Sequence, residues 1–154
     1  PDRGNYNSKG ECVGTNWGIS AQTYESWLRR PPTLKDMKDM TWEEAGIVYK
    51  GLFWTRIQGD AITSQPIADI LFDGHVNHGI TGIRLMQRVL GLKPDGKVGR
   101  ITLNAIHSRG DQEVFALYKN ARIAFYKNLV QRRPTLSPFL TGWLRRINSF
   151  ADFD

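Results

Sequence analysis

The 154-residue sequence has one cysteine, Cys12, which excludes an internal disulfide and leaves the redox compartment open. It lacks any run of about eighteen apolar residues, so nothing in it is long enough to span a bilayer as a helix. It shows no secretory signal pattern, and it opens on Pro1 rather than Met, which leaves room for an upstream segment lost, cleaved or omitted. Zinc-site spacing is missing too. His75 and His78 fall three apart, as if on one helix face with Asp73 beside them, but His107 stands alone and no further strong ligand follows at the required interval. No metal and no cofactor are expected. The period-two alternation of strands is almost absent after residue 20.

What is present is an apolar fraction of 40% and 11% aromatics, enough for one domain with a core that needs no disulfide or metal staple. The formal charge of +6 favours an anionic partner, for which nucleic acid, an anionic membrane and the bacterial wall all qualify.

Residues 1–20 are crowded with Gly, Asn and Ser and carry no helical period, so they read as a loop or short hairpin. A short helix over residues 21–29 turns Tyr24, Trp27 and Leu28 inward and ends before Pro31 and Pro32. Thr41 and Glu44 have capping-box spacing, ahead of a helix with Ala45, Val48, Tyr49, Leu52 and Phe53 on one face. Ser64 with Pro66 opens another helix, carrying Ile67, Ile70, Leu71 and Phe72; Gly79 breaks it, and residues 80–90 resume with Ile83, Met86, Val89 and Leu90. Pro94-Asp95-Gly96 is a turn. Helices follow over residues 99–107, from Asp111 (Val114, Leu117, Tyr118, Ala121, Phe125) and from Ser137-Pro138 (Phe139, Leu140, Trp143, Leu144, Ile147 inward). The fold expected is mostly α, with an irregular or short-hairpin N-terminal lobe.

Three segments together resemble glycoside hydrolase family 108, whose signature runs Glu-Gly-Gly-Tyr, then Asn-Asp-Pro-x-Asp-x-Gly-Gly, then a Thr-x-x-Gly-Ile block. Here Pro1-Asp2-Arg3-Gly4 leads to Thr15-Asn16-Trp17-Gly18-Ile19-Ser20, with a longer connection between them over residues 5–14. Asp73-Gly74-His75-Val76-Asn77-His78-Gly79 is similar to the family's Asp-x-x-Val-Asn-x-Gly stretch. Residues 85–103, with Leu85-Met86-Gln87-Arg88-Val89-Leu90-Gly91 and Asp95-Gly96-Lys97-Val98-Gly99, resemble a peptidoglycan-binding-like unit. The resemblance implies a single lysozyme-like helical domain over residues 1–154, with a catalytic-lobe part at 1–78 and a peptidoglycan-binding-like part at 79–154. It also implies a peptidoglycan hydrolase of the N-acetylmuramidase, lysozyme type, monomeric, acting on the bacterial wall from a secreted, periplasmic or phage-encoded source.

Glycoside hydrolysis needs a carboxylic acid to protonate the leaving oxygen and a carboxylate that attacks or activates water. The family's acid is the Glu of Glu-Gly-Gly-Tyr, a motif these 154 residues do not contain. By analogy with phage-type lysozymes, which run Glu, Asp, Thr in one short stretch, Asp2 is the base that activates water and Thr15 holds that water. Glu11, the one nearby glutamate, reads as a solvated loop carboxylate or a residue lining the site. Each of these has a plain alternative, since Asp2 also suits a turn and Thr15 a strand. Asn16, Trp17, Asp73 and Asn77 are the candidate substrate contacts. Trp17 could stack on a sugar or pack, and Trp42, Trp54 and Trp143 divide similarly, Trp143 reading as core. Asp73 equally suits a helix cap or salt bridge, and Asn77 a backbone bond. The unit at 85–103 supports both packing and a wall-binding surface.

Two other classes compete. One is a non-catalytic wall-binding or secretion-associated domain, favoured by the missing acid. The other is a basic nucleic-acid binder using Lys119, Arg122, Lys127, Arg132, Arg133, Arg145 and Arg146. Those cations alternate with apolar positions as on any solvated helix face and carry no recognition motif, so no nucleic-acid partner is expected.

Overall fold

The computed structural model describes residues 2–151. Pro1, the first residue of the Pro-Asp-Arg-Gly segment, lies outside them. The chain divides into two compact units, one up to Phe53 and one from Trp54 onward.

The first unit opens with a 3-10 turn, Arg3–Asn5, and an antiparallel hairpin of β1 (Thr15–Asn16) and β2 (Ile19–Ser20), in which Thr15 faces Ser20 and Asn16 faces Ile19. The Ser20 hydroxyl then caps α1 (Ala21–Leu28) by accepting from the Thr23 N–H, and the helix ends at Arg29 in the left-handed region. Next comes α2 (Leu34–Asp39), a helix the sequence pattern does not announce because six residues are too few to show a period. It rests on a full capping box: Thr33 accepts from the Asp36 N–H, and the Asp36 carboxylate answers the Thr33 N–H. The Arg30 guanidinium, aided by that Thr33 N–H, holds the Asp36 carboxyl far below the usual carboxylate range.

At α3 (Trp42–Tyr49) the Thr41 hydroxyl accepts from the Glu44 N–H as expected. The Glu44 carboxylate, however, accepts from the Tyr24 hydroxyl, so the reciprocal box expected here forms one helix earlier. Burial, with Glu44 beside it, pushes the Tyr24 phenol up to about 12. Val13, Ile19, Tyr24, Met37, Met40 and Val48 make this unit's core.

Among the described residues the long elements of the second unit are helices: α4 (Gln65–His78), α5 (Ile80–Val89), α6 (Arg100–Ser108), α7 (Asp111–Arg132) and α8 (Ser137–Asn148). The start at Ser64 and Pro66, the break at Gly79 and the turn at Pro94-Asp95-Gly96 fall where the sequence places them. Helix α4 packs on α5 and α7, and α8 on α7. The α4–α5 crossing is close because it runs through glycines. A Cβ on Gly82 would sit 2.3 Å from the Gly74 carbonyl oxygen, and one on Gly74 would sit 1.9 Å from the Tyr118 hydroxyl. That hydroxyl donates to the Gly82 carbonyl at 2.9 Å.

Two expectations are corrected in this unit. Phe139, placed inward by periodicity, is 56% exposed and stacks on Trp143, which stacks in turn on Tyr126. Arg122, placed on a solvated cationic face, is fully buried against the Asp73 carboxylate. The mostly α class with a short N-terminal hairpin is the fold the chain adopts.

Candidate active site

The hairpin and the turn before it share one anchor, Asn5. Its backbone N–H donates to the Asp2 carbonyl at 3.1 Å, and its backbone carbonyl accepts from both Val13 and Gly14 at 2.9 and 3.0 Å. Its side-chain oxygen accepts from the Thr15 hydroxyl at 2.8 Å. The ten residues between the two halves of the motif therefore leave and return at one place. Their ends are pinned to the same carbonyl, and the excursion closes on itself through the Tyr6–Cys12 bridge and the Asn7–Glu11 backbone bond. The longer connection is a loop that leaves Gly4 and Gly14 at a common origin and is tied to α1, where the Ser8 N–H donates to the Glu25 carboxylate.

Asp2 is exposed, and one of its carboxylate oxygens accepts from the Gly4 N–H at 3.0 Å. That bond fixes the side chain and leaves most of the acceptor capacity of an ionised carboxylate free. Gly4 is pressed between Asp2 and Ser20, with its missing Cβ 3.3 Å from the Asp2 oxygen and 3.4 Å from the Ser20 Cβ. Ser20 is the strand partner of Thr15. The Gln22 amide ties the turn down from α1 by donating to the Arg3 carbonyl. Asp2 and Thr15 are thus held on one small frame by Asn5, Gly4 and Ser20.

The chemistry of Thr15 follows from its bond. A hydroxyl has one hydrogen and two lone pairs. With the hydrogen given to Asn5, Thr15 faces any further partner as an acceptor. An ionised Asp2 is acceptor-only as well. A water shared by the two would donate both its hydrogens, leaving its own lone pairs directed elsewhere.

Glu11 is exposed, and its carboxylate accepts from the Asn7 amide at 2.8 Å. Asn7 is buried and also donates to the Pro32 carbonyl, so this pair braces the loop and ties it to the segment after α1.

Trp17 and Gly18 turn the hairpin with φ of 51° and 78°. Paired positive φ gives a two-residue turn whose twist matches the strands. For a non-glycine residue such as Trp17 it costs about 1–2 kcal/mol. Three bonds hold Trp17 there: its backbone N–H to the Asn16 side chain, its indole N–H to the Met40 carbonyl at 2.8 Å, and its carbonyl from the Tyr49 hydroxyl. Asn16 gives its amide to the Met37 carbonyl, so its polar groups serve the hairpin. Trp17 and Trp42 remain 50% and 68% exposed and meet edge to face at 5.8 Å. Together they are an exposed aromatic pair, Trp17 standing two residues along the hairpin from Thr15.

Asp73 and Asn77 lie together on α4 in the second unit, the Asn77 amide donating to the Asp73 carbonyl at 2.8 Å. Asp73 is 5% exposed, with one carboxylate oxygen 2.8 Å from Arg122 and the other held by Arg146. The Arg122 Nε donates to His78 Nε2 at 3.3 Å, and His78 packs edge-on against Phe125 and Tyr126. Burial, with Arg122 beside it, brings His78 down to about 4. The His75 Nδ1 meets the Gly79 carbonyl. Among the described residues no three His, Cys, Asp or Glu side chains are grouped to hold a metal ion.

Asn5, which links the two candidate residues, is not singled out in the sequence. Its signal is positional: it stands where the loop departs, directly after the first half of the motif, with Thr15 directly after the point of return.

Comparison with known proteins places the chain among two families. The family described as glycosyl hydrolase 108 matches residues 1–79, and the family described as a predicted peptidoglycan domain matches residues 81–148. Among solved structures the chain is similar to Brucella abortus SagA, with 25% identity and a TM-score of 0.80 over 94% of this chain and 81% of that one. No curated protein matches.

Proposed function

The chain belongs to the glycosyl hydrolase 108 family, and from that premise we propose that it carries the water-activating half of an N-acetylmuramidase site. It is a peptidoglycan-directed glycoside hydrolase. The bond proposed is the one from N-acetylmuramic acid to the next N-acetylglucosamine. Asp2 takes a proton from a water that also donates to Thr15. The water oxygen bonds to the anomeric carbon as the glycosidic C–O bond breaks, and a carboxylic acid protonates the departing oxygen. Trp17 and Trp42 offer the apolar face for a sugar ring. In the family's order that acid is the Glu of Glu-Gly-Gly-Tyr, ahead of the Asp motif, and no glutamate precedes Asp2 in these 154 residues.

The observation that carries the reading is the double use of Asn5, which joins Asp2 to Thr15 and turns the Thr15 hydroxyl into an acceptor. The match of residues 81–148 to a predicted peptidoglycan domain supports a second reading, a wall-binding domain without catalysis. Clearing of purified cell walls separates the two. The 154 residues alone should not clear them, and the same chain preceded by Glu-Gly-Gly should. Asp2→Asn in the longer protein should abolish clearing without lowering its melting temperature. If the longer protein fails to clear walls, the wall-binding reading takes its place.

A further inference from the structure

The second unit contains a cavity that the hydrolytic reading does not use. It has a volume of about 450 Å3 and lies between the turn after α5 and the first turn of α6, walled by Leu92, Lys93, Asp95, Lys97, Arg100 and Ile101. The size suits a small ligand.

Its frame is rigid because it is built around a buried amide. Gln87, 1% exposed on α5, donates to the Asp95 carboxylate at 2.8 Å and to the Lys97 carbonyl at 3.0 Å, and accepts from the Gly96 N–H at 2.9 Å. The Asp95 oxygen that Gln87 reaches also accepts from the Lys97 N–H. Asp95 is therefore committed to shaping the turn, and those bonds hold its carboxyl below the usual carboxylate range.

The three cations are not committed. Among the described residues Lys93, Lys97 and Arg100 form no ion pair, and all three are exposed. They outnumber the single carboxylate at the cavity, so its field is positive. Two of its walls are apolar, and one of them, Ile101, is 74% exposed on a helix whose other apolar residues pack inward. None of the residues lining it is aromatic. A sugar strand would find no ring to lie against here, whereas the first unit offers Trp17 and Trp42.

We propose that this cavity is a second, non-catalytic site that holds the peptide stem of peptidoglycan through its carboxylates. The stem is a short peptide with several carboxylates spaced by methyl-bearing residues. Its carboxylates match Lys93, Lys97 and Arg100, and its methyl groups match Leu92 and Ile101. The inference rests on the peptidoglycan reading above and assigns a different part of the polymer to a different site.

The test is a titration of the isotope-labelled full chain, followed by amide chemical shifts, with three separate probes: the free stem tetrapeptide, peptide-free chitotetraose and a short DNA oligonucleotide. The tetrapeptide should move the amides of residues 92–101, and chitotetraose should not. Replacing Lys97 and Arg100 together by Ala should weaken tetrapeptide binding roughly tenfold, and added salt should weaken it in the native chain. Both side chains are exposed, so the variant's melting temperature serves as its folding control. The proposal is overturned if the tetrapeptide leaves these amides unmoved, if the double variant binds as tightly as the native chain, or if DNA moves the same amides more strongly than the tetrapeptide does. Binding is read here without hydrolysis. A protein that clears walls but ignores the tetrapeptide defeats only this inference, and one that binds the tetrapeptide but cuts no glycan defeats only the muramidase reading.

Discussion

Asn5 is the residue on which the hydrolytic account turns. Removing its side chain leaves its backbone bonds in place but frees the Thr15 hydroxyl to point its hydrogen anywhere. Misplacing a reacting water by about 1 Å can cost roughly 100-fold. Asn5→Ala in the protein carrying the upstream glutamate should therefore lower kcat by about that factor, with KM and melting temperature little changed. A fall in melting temperature that accounts for the lost activity would make Asn5 a structural residue only. Asp2 and Thr15 were singled out by a short motif order. Asn5 was not, because its part depends on where a ten-residue excursion closes, and spacing does not record closure. Asp73 shows the same limit from the other side. Its motif was visible, but its partners Arg122 and Arg146 lie far along the chain. Asp73→Ala would strand a fully buried Arg122 charge and should cost about 3–5 kcal/mol in urea unfolding. Arg146→Ala, at a side chain 57% exposed, should cost about 1 kcal/mol or less. A stable Asp73→Ala protein with lost wall affinity would instead make Asp73 a substrate contact. His78 adds a pH dependence. Its folded value of about 4 lies below the ordinary 6.5, so in that interval the unfolded chain binds a proton that the folded chain excludes. Stability should fall as pH drops from about 6.5 toward 4. His78→Gln, which keeps an acceptor for Arg122, should show a shallower fall in melting temperature over the same interval, and an identical slope would remove His78 from the cause.

At the scale of elements, the glycines separate tight packing from open surface. Gly82→Ala drives a methyl to within 2.3 Å of the α4 backbone, which cannot yield as a side-chain tip could. It should destabilise the protein by at least about 1–3 kcal/mol. Gly142, inside α8 with nothing within 4 Å of where a methyl group would sit, is the contrast: Gly142→Ala should stabilise by about 0.5–1 kcal/mol. Chemical denaturation of both variants checks the pair, and equal effects would contradict the packing account. Most helices of the second unit were legible because caps, proline and glycine bracket their apolar periods. Helix α2 was not, since its signal is a capping box just after two prolines. The inward reading of Phe139 failed for a related reason. A period fixes which residues share a face but not how far along the helix its partner reaches, and α8 meets α7 through Trp143 on Tyr126 while Phe139 stays open.

On the scale of the whole molecule, the net charge of +6 is not one basic surface. Arg122 and Arg146 neutralise Asp73, and Arg30 and Lys35 pair with Asp36 and Asp39. Lys93, Lys97 and Arg100 gather at a cavity. Composition could report the excess of cations but not its distribution, because the one buried carboxylate that Arg122 and Arg146 share, Asp73, comes from another helix. The class of fold and the order of its motifs were legible, and they lead to a glycoside hydrolase directed at peptidoglycan. The finer claim is the bond it cuts. Borohydride reduction of peptidoglycan digested by the chain carrying the upstream Glu-Gly-Gly tests that claim most directly. The account predicts new reducing ends that are muramitol, absent from the Asp2→Asn digest. New ends that are glucosaminitol, or an undiminished yield from Asp2→Asn, would contradict it.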